Sequence, residues 1–511
     1  MALAKAKTFL GLAVPFLMML GWTSLCAAES HNLVIVMDGL RPDYVTPELM
    51  PNLEAWSKTG VICLNHHSVF PTVTRVNSSS FSTGAYPGKH GLLANTVFYP
   101  SISANKGIDT GKRENLVQID QETGGHLLTV PTLAEYLSEK GKRFLAVSCG
   151  SSGSATLLNP KGAGDGIIHF EFSLPESRLA AVIESIGKPP EGGLPNLALN
   201  HWAVDACLKF GFEREAPEVV FLWFSDPDHT AHKAGIGFAL TNQALRALDE
   251  EFARILSTLE DRQLLSETNI LVVSDHGFST HTGKKDLQTW LIDNGLKRDP
   301  DSDDVVVAGG AVYVKGHEPE KIRKIVELLQ RTDWMGAIFT RAKSPGSPEG
   351  EVAGTLSYDL VKWDHERAAD ILVSANWWDE KNDKGFPGKT GQTGAAGHGT
   401  SSPYDIHNTL IAGGPAFKKQ MRNSNSTGNV DIAPTLCALL GIEPAPSMQG
   451  RVLREMLADG PTPDILETGA KTHRLEVHWD DGSSTGRYSL ELMESLVEGY
   501  SYLDWTKVER N

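Results

Sequence analysis

The chain has 511 residues, 41% hydrophobic and 22% charged, which excludes a disordered or fibrous protein and supplies apolar residues for a large core. Its formal charge of −16 at pH 7 argues against a stable nucleic-acid complex, because phosphate backbones are gripped by basic surface. A small phosphate ester stays open as a partner, since metal ions supply local positive charge that a residue count does not see.

Residues 1–28 read as an export signal: Lys5 and Lys7, an apolar run over 9–20, then Cys26-Ala27-Ala28 as a small-residue cleavage site. Cleavage after Ala28 removes two lysines and no acid, moving the formal charge from −16 to −18. It predicts an exported chain, periplasmic or secreted, with no membrane span in the mature part. An uncleaved anchor fits less well, because the run is short for a span and is broken by Pro15 and Gly21. Leu25 before Cys26 likewise argues against a lipoprotein. Cys63, Cys149, Cys207 and Cys437 remain; no two cysteines form a C-x-x-C pair, so a cysteine zinc site is not expected, while one or two disulfides stay open.

Residues 33–37 form an apolar, β-branched run that ends at Asp38. Thr74 follows, in Phe70-Pro71-Thr72-Val73-Thr74-Arg75-Val76-Asn77, ahead of Ser78-Ser79-Ser80, a stretch expected to open a helix. Helical patterns occupy 131–140 and 196–210, with Gly- and Ser-rich loops around 150–153. A second apolar run, 219–224, leads to Asp226 and Asp228; a third, 270–273, leads to Asp275 and His276. Runs polar on neither face are central parallel strands covered by helices on both sides, an α/β signature. In such sheets ligands bind beyond the carboxyl ends of the strands, where these acids collect. Between about 284 and 392, a strand at 305–314, a helix at 318–331 and a loop at 344–350 read as an inserted smaller subdomain. The tail offers a hairpin signal at Asp481-Gly482-Ser483, then a helix or strand to Trp505.

Asp228 and His232 stand four apart, on one face of a helical turn. Ser274-Asp275-His276-Gly277 puts a carboxylate and an imidazole directly after a buried strand, and glycines free the backbone around His398. Each piece alone is equally a surface helix, a capped turn or a flexible loop. Together, three aspartates and three histidines from four distant segments make two mixed nitrogen and oxygen ligand sets, which suits two divalent ions of the zinc type. Thr74 supplies a nucleophile. Its hydroxyl is weak at neutral pH and requires a metal to lower its pKa, with a second metal about 4 Å away for the other phosphoryl oxygen. A helix beginning beneath it favours the phosphate anion, although a plain helix cap is the alternative role for Thr74.

Several segments together resemble the motifs of the nucleotide pyrophosphatase/phosphodiesterase (type I phosphodiesterase) family of the alkaline phosphatase superfamily. They are Val36-Met37-Asp38-Gly39-Leu40-Arg41, residues 71–77 and 82–91, Asp228 to His232, Ser274 to Gly277 and Gly397-His398-Gly399. The likeness runs over about 32–455, closing with 431–436 and 449–453. It implies an alkaline-phosphatase-like core of 29–283 and 393–460, a mostly parallel sheet with helices on both faces, with 284–392 inserted and 461–511 as a tail. It further implies one zinc held by Asp38, Thr74, Asp275 and His276, a second held by Asp228, His232 and His398, and Asn95 as a side-chain donor to a phosphoryl oxygen. The expected reaction is hydrolysis of a small phosphate ester such as a nucleotide, at a phosphodiester or pyrophosphate bond, through a phosphothreonine. This chain departs from the family in two places. Arg75 replaces an apolar or aromatic residue after the nucleophile, which leaves it either to meet a second negative charge on the substrate or to face solvent. His398 is followed by a longer run to Asn408, in which His407 reads as a group supporting a ligand rather than a ligand.

The nearest rival is a phosphomonoesterase of the same superfamily, which would add a Lys and Arg pair; residues 153–157 lack it, though Lys161 lies near. A phosphonate hydrolase shares the same groups. A sulfatase is disfavoured because Cys63 precedes Leu64, Asn65, His66 and His67 rather than C-x-P-x-R. A non-catalytic binding protein is disfavoured because all six ligands are present.

Overall fold

The computed structural model describes residues 31–213, 216–480, 482 and 484–511; the expected export signal at 1–28 lies outside them. The three apolar runs lie side by side at the centre of a ten-stranded sheet. His31–Met37 pairs in parallel with Val219–Phe224 on one side and Thr268–Val273 on the other. Side chains alternate between the faces of a strand, and both faces here are covered. Leu33, Ile35 and Met37 pack with residues of the helices Leu197–Gly211 and Ala239–Asp261. Val34 and Val36 pack with Leu133–Glu139 and Ile432–Leu439. The α/β reading therefore holds.

Phe144–Ser148 and Gly166–His169 extend the sheet in parallel beyond Val219–Phe224. On the other side His407–Gly413 runs antiparallel to Thr268–Val273, and Val61–His67 pairs antiparallel with it in turn. This reversed strand positions the site. An antiparallel strand begins where its neighbours end, so the segment leading into His407 arrives at the edge where Asp38, Asp228 and Asp275 leave the sheet. Ala396–Gly397 is held there by antiparallel pairing with Ser279–His281, within a smaller four-stranded sheet.

A separate five-stranded sheet contains Val305–Ala308, Ala311–Val314, Met335–Thr340, Leu356–Ser357 and Ile371–Ala375, with Ile325, Val326 and Leu329 of the helix Pro319–Gln330 packed on it. The single strand expected over 305–314 is instead a hairpin. Gly309 and Gly310 both adopt positive φ, 58° and 83°, a conformation open to glycine, and they reverse the chain. The tail forms a three-stranded antiparallel sheet, Thr468–Asp480, Thr485–Val497 and Tyr500–Arg510. Asp480 pairs with Thr485, which puts the connection at the expected turn, although Asp481 and Ser483 lie outside the described residues. The segment to Trp505 is strand rather than helix, and Tyr488, Leu490 and Leu492 share a cluster with Phe339 and Trp363. Cys63, Cys149, Cys207 and Cys437 are all buried and free. Among the described residues no helix is long and apolar enough to cross a membrane.

Candidate metal centre and nucleophile

Asp38 follows its strand directly, and Gly39 at φ 72° turns the chain away. A Cβ on Gly39 would stand 3.1 Å from Phe278 and 3.2 Å from the Asp228 Cβ, so glycine lets these segments close on one another. The Gly39 N–H donates to Asp275 Oδ1 at 3.1 Å, and Trp223 Nε1–H donates to Asp38 Oδ2 at 3.1 Å. Ser274 Oγ accepts the Leu40 N–H and donates to the His276 carbonyl, both at 2.8 Å. Asp38 and Asp275 thus each have one oxygen held by a neighbouring segment and the other left without a donor.

The helix expected to open at Ser78 opens at Thr74, spanning Thr74–Thr83 with Val73 as its cap residue. Thr74 is therefore not the cap. Asn77 sets this start by bonding both the Val69 N–H, at 2.8 Å, and the Val69 carbonyl, at 3.0 Å. The serines fall inside the helix, and Ser78 Oγ donates to the Ser154 carbonyl of the facing helix Ser152–Leu158. Thr74 is 4% exposed, with Oγ1 3.3 Å from His276 Nε2.

The three histidines share one wiring. His232 Nδ1 faces the Ala396 carbonyl at 3.0 Å, His276 Nδ1 the Gly277 carbonyl at 2.9 Å, and His398 Nδ1 the Thr72 carbonyl at 2.8 Å. With the ring proton held on Nδ1, each Nε2 presents a lone pair. Those lone pairs point at carboxylate oxygens: His276 at Asp275 Oδ2 (3.2 Å) and Asp38 Oδ1 (3.4 Å), His232 and His398 at Asp228 Oδ1 (3.1 and 3.2 Å). Asp38 Oδ1, Asp228 Oδ1 and Asp275 Oδ2 are buried without a hydrogen-bond partner of good geometry. Lone pairs facing orphaned carboxylate oxygens repel unless cations lie between them. The donor set fits divalent ions, and its atoms gather into two groups, Asp38 with Asp275 and His276, and Asp228 with His276 and His398. His232 adjoins the second group through Asp228, and His276 faces both.

The electrostatics of Asp38, Asp275 and His276 carry the same strain. Burial, then the charges of Asp275 and Asp228, push Asp38 well above the usual carboxylate range. Burial and Asp228 push Asp275 up to about 7. Burial and His398 hold His276 far below its ordinary value. Asp228 departs from the other two: burial works against its charge, yet positive charge on the side of its Oδ1 that faces the imidazoles of His232 and His398 holds it well below the carboxylate range.

Asn95 Oδ1 accepts the Arg75 N–H at 3.0 Å, which places its amide beside the first turn of the Thr74 helix. Arg75 lies half-buried 3.9 Å from Asp109, with Nε unpartnered. An open cleft of about 810 Å³ adjoins the acids, lined by Asp38, Thr74, Arg75, Phe170, Leu194 and Lys233 among others. Lys161 is not part of that lining; its ammonium pairs with Asp120 at 2.9 Å. Asp226 is spent on structure, accepting from the Asn196 N–H, Asn200 Nδ2 and Thr230 Oγ1. His407 touches none of the six ligands; its ring meets His67 and Asp504. Sequence reasoning passed over Trp223 and Lys233. Lys233, directly after His232 on the same helix, was the findable one; nothing local marks Trp223, which reaches Asp38 only through strand pairing.

The profile of the "Type I phosphodiesterase / nucleotide pyrophosphatase" family matches residues 32–385. Venom phosphodiesterase CdcPDE of Crotalus durissus collilineatus is 22% identical over 431 residues, 82% of this chain and 45% of that protein. Human ectonucleotide pyrophosphatase/phosphodiesterase family member 1 is 22% identical over 427 residues, 81% of this chain and 40% of that one. The chain thus spans less than half the length of these curated relatives. Murine ectonucleotide pyrophosphatase / phosphodiesterase 5, solved as an inactive Thr-to-Ala variant in complex with AMP, superposes with a TM-score of 0.60 at 18% identity, covering 84% of this chain and all of that one. His398 lies beyond the matched profile and joins the cluster through the reversed strand that follows it. With the profile covering the segments that supply Asp38, Thr74, Asp228, His232, Asp275 and His276, this chain belongs to the type I phosphodiesterase / nucleotide pyrophosphatase family.

Proposed function

We propose that this chain is an exported hydrolase of phosphodiester or nucleotide pyrophosphate bonds, working through a phosphothreonine on Thr74 at a site for two zinc ions. The observation that carries the reading is the convergence of three orphaned carboxylate oxygens and three histidine lone pairs beside a buried threonine hydroxyl. Asp38, Thr74, Asp275 and His276 would hold one ion, and Asp228, His232 and His398 the other. Bound there, such ions lower the pKa of a hydroxyl and neutralise phosphoryl oxygens.

The chain's own groups do the rest. Thr74 Oγ1 bonds to phosphorus as the bond to the leaving alcohol or phosphate breaks, and water later cleaves the phosphothreonine. Thr74 is the first residue of a ten-residue helix, whose free N–H groups favour a phosphate anion. Asn95, fixed through its Oδ1, offers its amide N–H to the oxygen on which charge grows. Phe170 and Leu194 give the cleft an apolar wall for a leaving group, while Arg75 and Lys233 supply positive charge suited to a nucleotide's further phosphate. The names of the relatives, phosphodiesterases and nucleotide pyrophosphatases, support this substrate class, as does the AMP held by the murine neighbour. A phosphomonoesterase or phosphonate hydrolase is the second reading, but the cation nearest to the missing Lys and Arg pair, Lys161, is engaged by Asp120.

The test compares rates on a nitrophenyl phosphodiester, a monoester, a phosphonate and a dinucleotide pyrophosphate, with metal content measured on the same sample. The diester and pyrophosphate lead, about two zinc ions per chain are found, and a chelator abolishes turnover. Thr74→Ala loses at least about a thousandfold in rate with its melting temperature little changed. A variant that kept its rate would remove Thr74 from the reaction.

A further inference from the structure

A second set of donors lies away from the Thr74 cleft. His67 ends the strand Val61–His67, His407 begins His407–Gly413, and the two are directly opposed across that antiparallel pair. Their rings stand 4.7 Å apart. Asp504, on the last strand of the tail sheet, reaches them: its Oδ1 lies 2.9 Å from His67 Nε2 and 3.7 Å from His407 Nε2. One ligand atom from each residue falls within 4.8 Å of the others.

His67 repeats the wiring of the three histidines beside Thr74. Its Nδ1 faces the Thr427 carbonyl at 2.8 Å and its Nε2 faces a carboxylate. A neutral ring has one proton for these two acceptors, so a further cation belongs on the Nε2 side, either a second proton or a metal ion. The presence of His407 decides between them. A proton shared by His67 and Asp504 needs no second imidazole, whereas a zinc-like ion takes nitrogen and oxygen at about 2.0–2.2 Å. Tetrahedral ligands at that radius stand about 3.4 Å apart, a separation the 2.9 and 3.7 Å contacts bracket. Ser495 Oγ donates to Asp504 Oδ2 at 2.5 Å and fixes the carboxylate. The His407 side chain is 27% exposed, which opens a path for the ion and a position for water.

We propose that His67, His407 and Asp504 form a third metal site, which takes a zinc-like divalent ion and ties the last strand of the tail sheet to two neighbouring strands of the central sheet. Its three ligands come from the two halves of a strand pair and from the tail, so the bound ion cross-links the tail sheet to the core. The site does not depend on the chemistry proposed at Thr74.

The experiment measures zinc per chain in the full-length protein after dialysis against a zinc buffer, beside His407→Ala and Asp504→Asn. Each variant is expected to hold one ion fewer than the parent, to keep the parent's rate at the Thr74 cleft, and to lose part of the rise in melting temperature that zinc gives. Asp504→Asn preserves side-chain shape, so a folding defect in one variant does not mask the result in the other. Equal metal content in the parent and both variants overturns the proposal and leaves His67 and Asp504 as a hydrogen-bonded pair. Loss of the cleft's own metal and rate in both variants overturns it too, because these residues would then serve the Thr74 site. If the parent fails every phosphate-ester assay, the proposed function falls, and the difference in metal content still tests the third site.

Discussion

Two clusters of buried charge sit in this fold and differ in how their polar atoms are used. In the first, Arg451 donates to Glu455 at 2.7 and 2.9 Å, to Tyr502 Oη at 3.0 Å and to the Ser426 carbonyl at 2.9 Å. Asp431 there accepts from the Arg451 and Gly428 N–H groups, both at 2.8 Å, and from Tyr502. In the second, Asp38, Asp228 and Asp275 each keep an oxygen that no donor reaches. Burying charge is tolerated when hydrogen bonds replace water and is costly otherwise. The satisfied cluster is therefore a device of the fold, and the unsatisfied one marks where a ligand of opposite charge completes the structure.

The largest effect on stability belongs to the satisfied cluster. Arg451→Met strands Glu455 and Asp431 without their cation and should cost about 3–5 kcal/mol, read as a fall in the denaturation midpoint. The rate per folded molecule should hold, because Arg451 is not part of the cleft's lining. A variant as stable as the parent would break the contrast. Asp275→Asn should act in the opposite direction in metal-free protein. It removes one of three crowded carboxylates while keeping an acceptor for the Gly39 N–H, and should raise stability by about 1–2 kcal/mol. The same variant should lose metal and activity, so its stability in zinc falls below the parent's. Destabilisation with and without metal alike would mean that Asp275 is structural.

The two clusters also differ in how far they can be read without coordinates. Asp38, Asp228 and Asp275 are legible because each directly follows, or nearly follows, a run apolar on both faces, and parallel strands deliver their ends to one edge. His398 is not legible in that way. The strand that follows it, His407–Gly413, runs antiparallel to its central neighbour, and nothing in residues 407–413 distinguishes a reversed central strand from a parallel one. The start of the Thr74 helix eluded the pattern because Asn77, a residue of indifferent propensity, braces the loop ahead of the helix through side-chain bonds to both backbone groups of Val69. The satisfied cluster depends on Tyr502, far along the chain from Asp431 and Arg451, and no local periodicity announces a contact between the tail and the closing helix. The contact of His407 with Asp504 is illegible for the same reason, since Asp504 lies in the tail sheet.

The smallest predicted effect uses pH to separate a satisfied histidine from a ligand. His90 is fully buried; its Nδ1 accepts the Leu92 N–H at 3.1 Å and its Nε2 faces Ser80 Oγ at 3.2 Å. Burial and the neighbouring His365 and Arg367 push it down to about 3 from its ordinary 6.5. The folded protein thus keeps this ring neutral while the unfolded chain binds a proton below pH 6.5. The stabilisation is present above pH 6.5 and is lost as the pH falls towards 3, at up to about 1.4 kcal/mol per pH unit. Denaturation curves between pH 7 and 4.5 should show His90→Gln with a shallower acid-side slope than the parent, by close to one proton, whatever its stability at pH 7. An unchanged slope would mean that His90 takes up a proton in the folded state, and the partners assigned to its two nitrogens would be wrong.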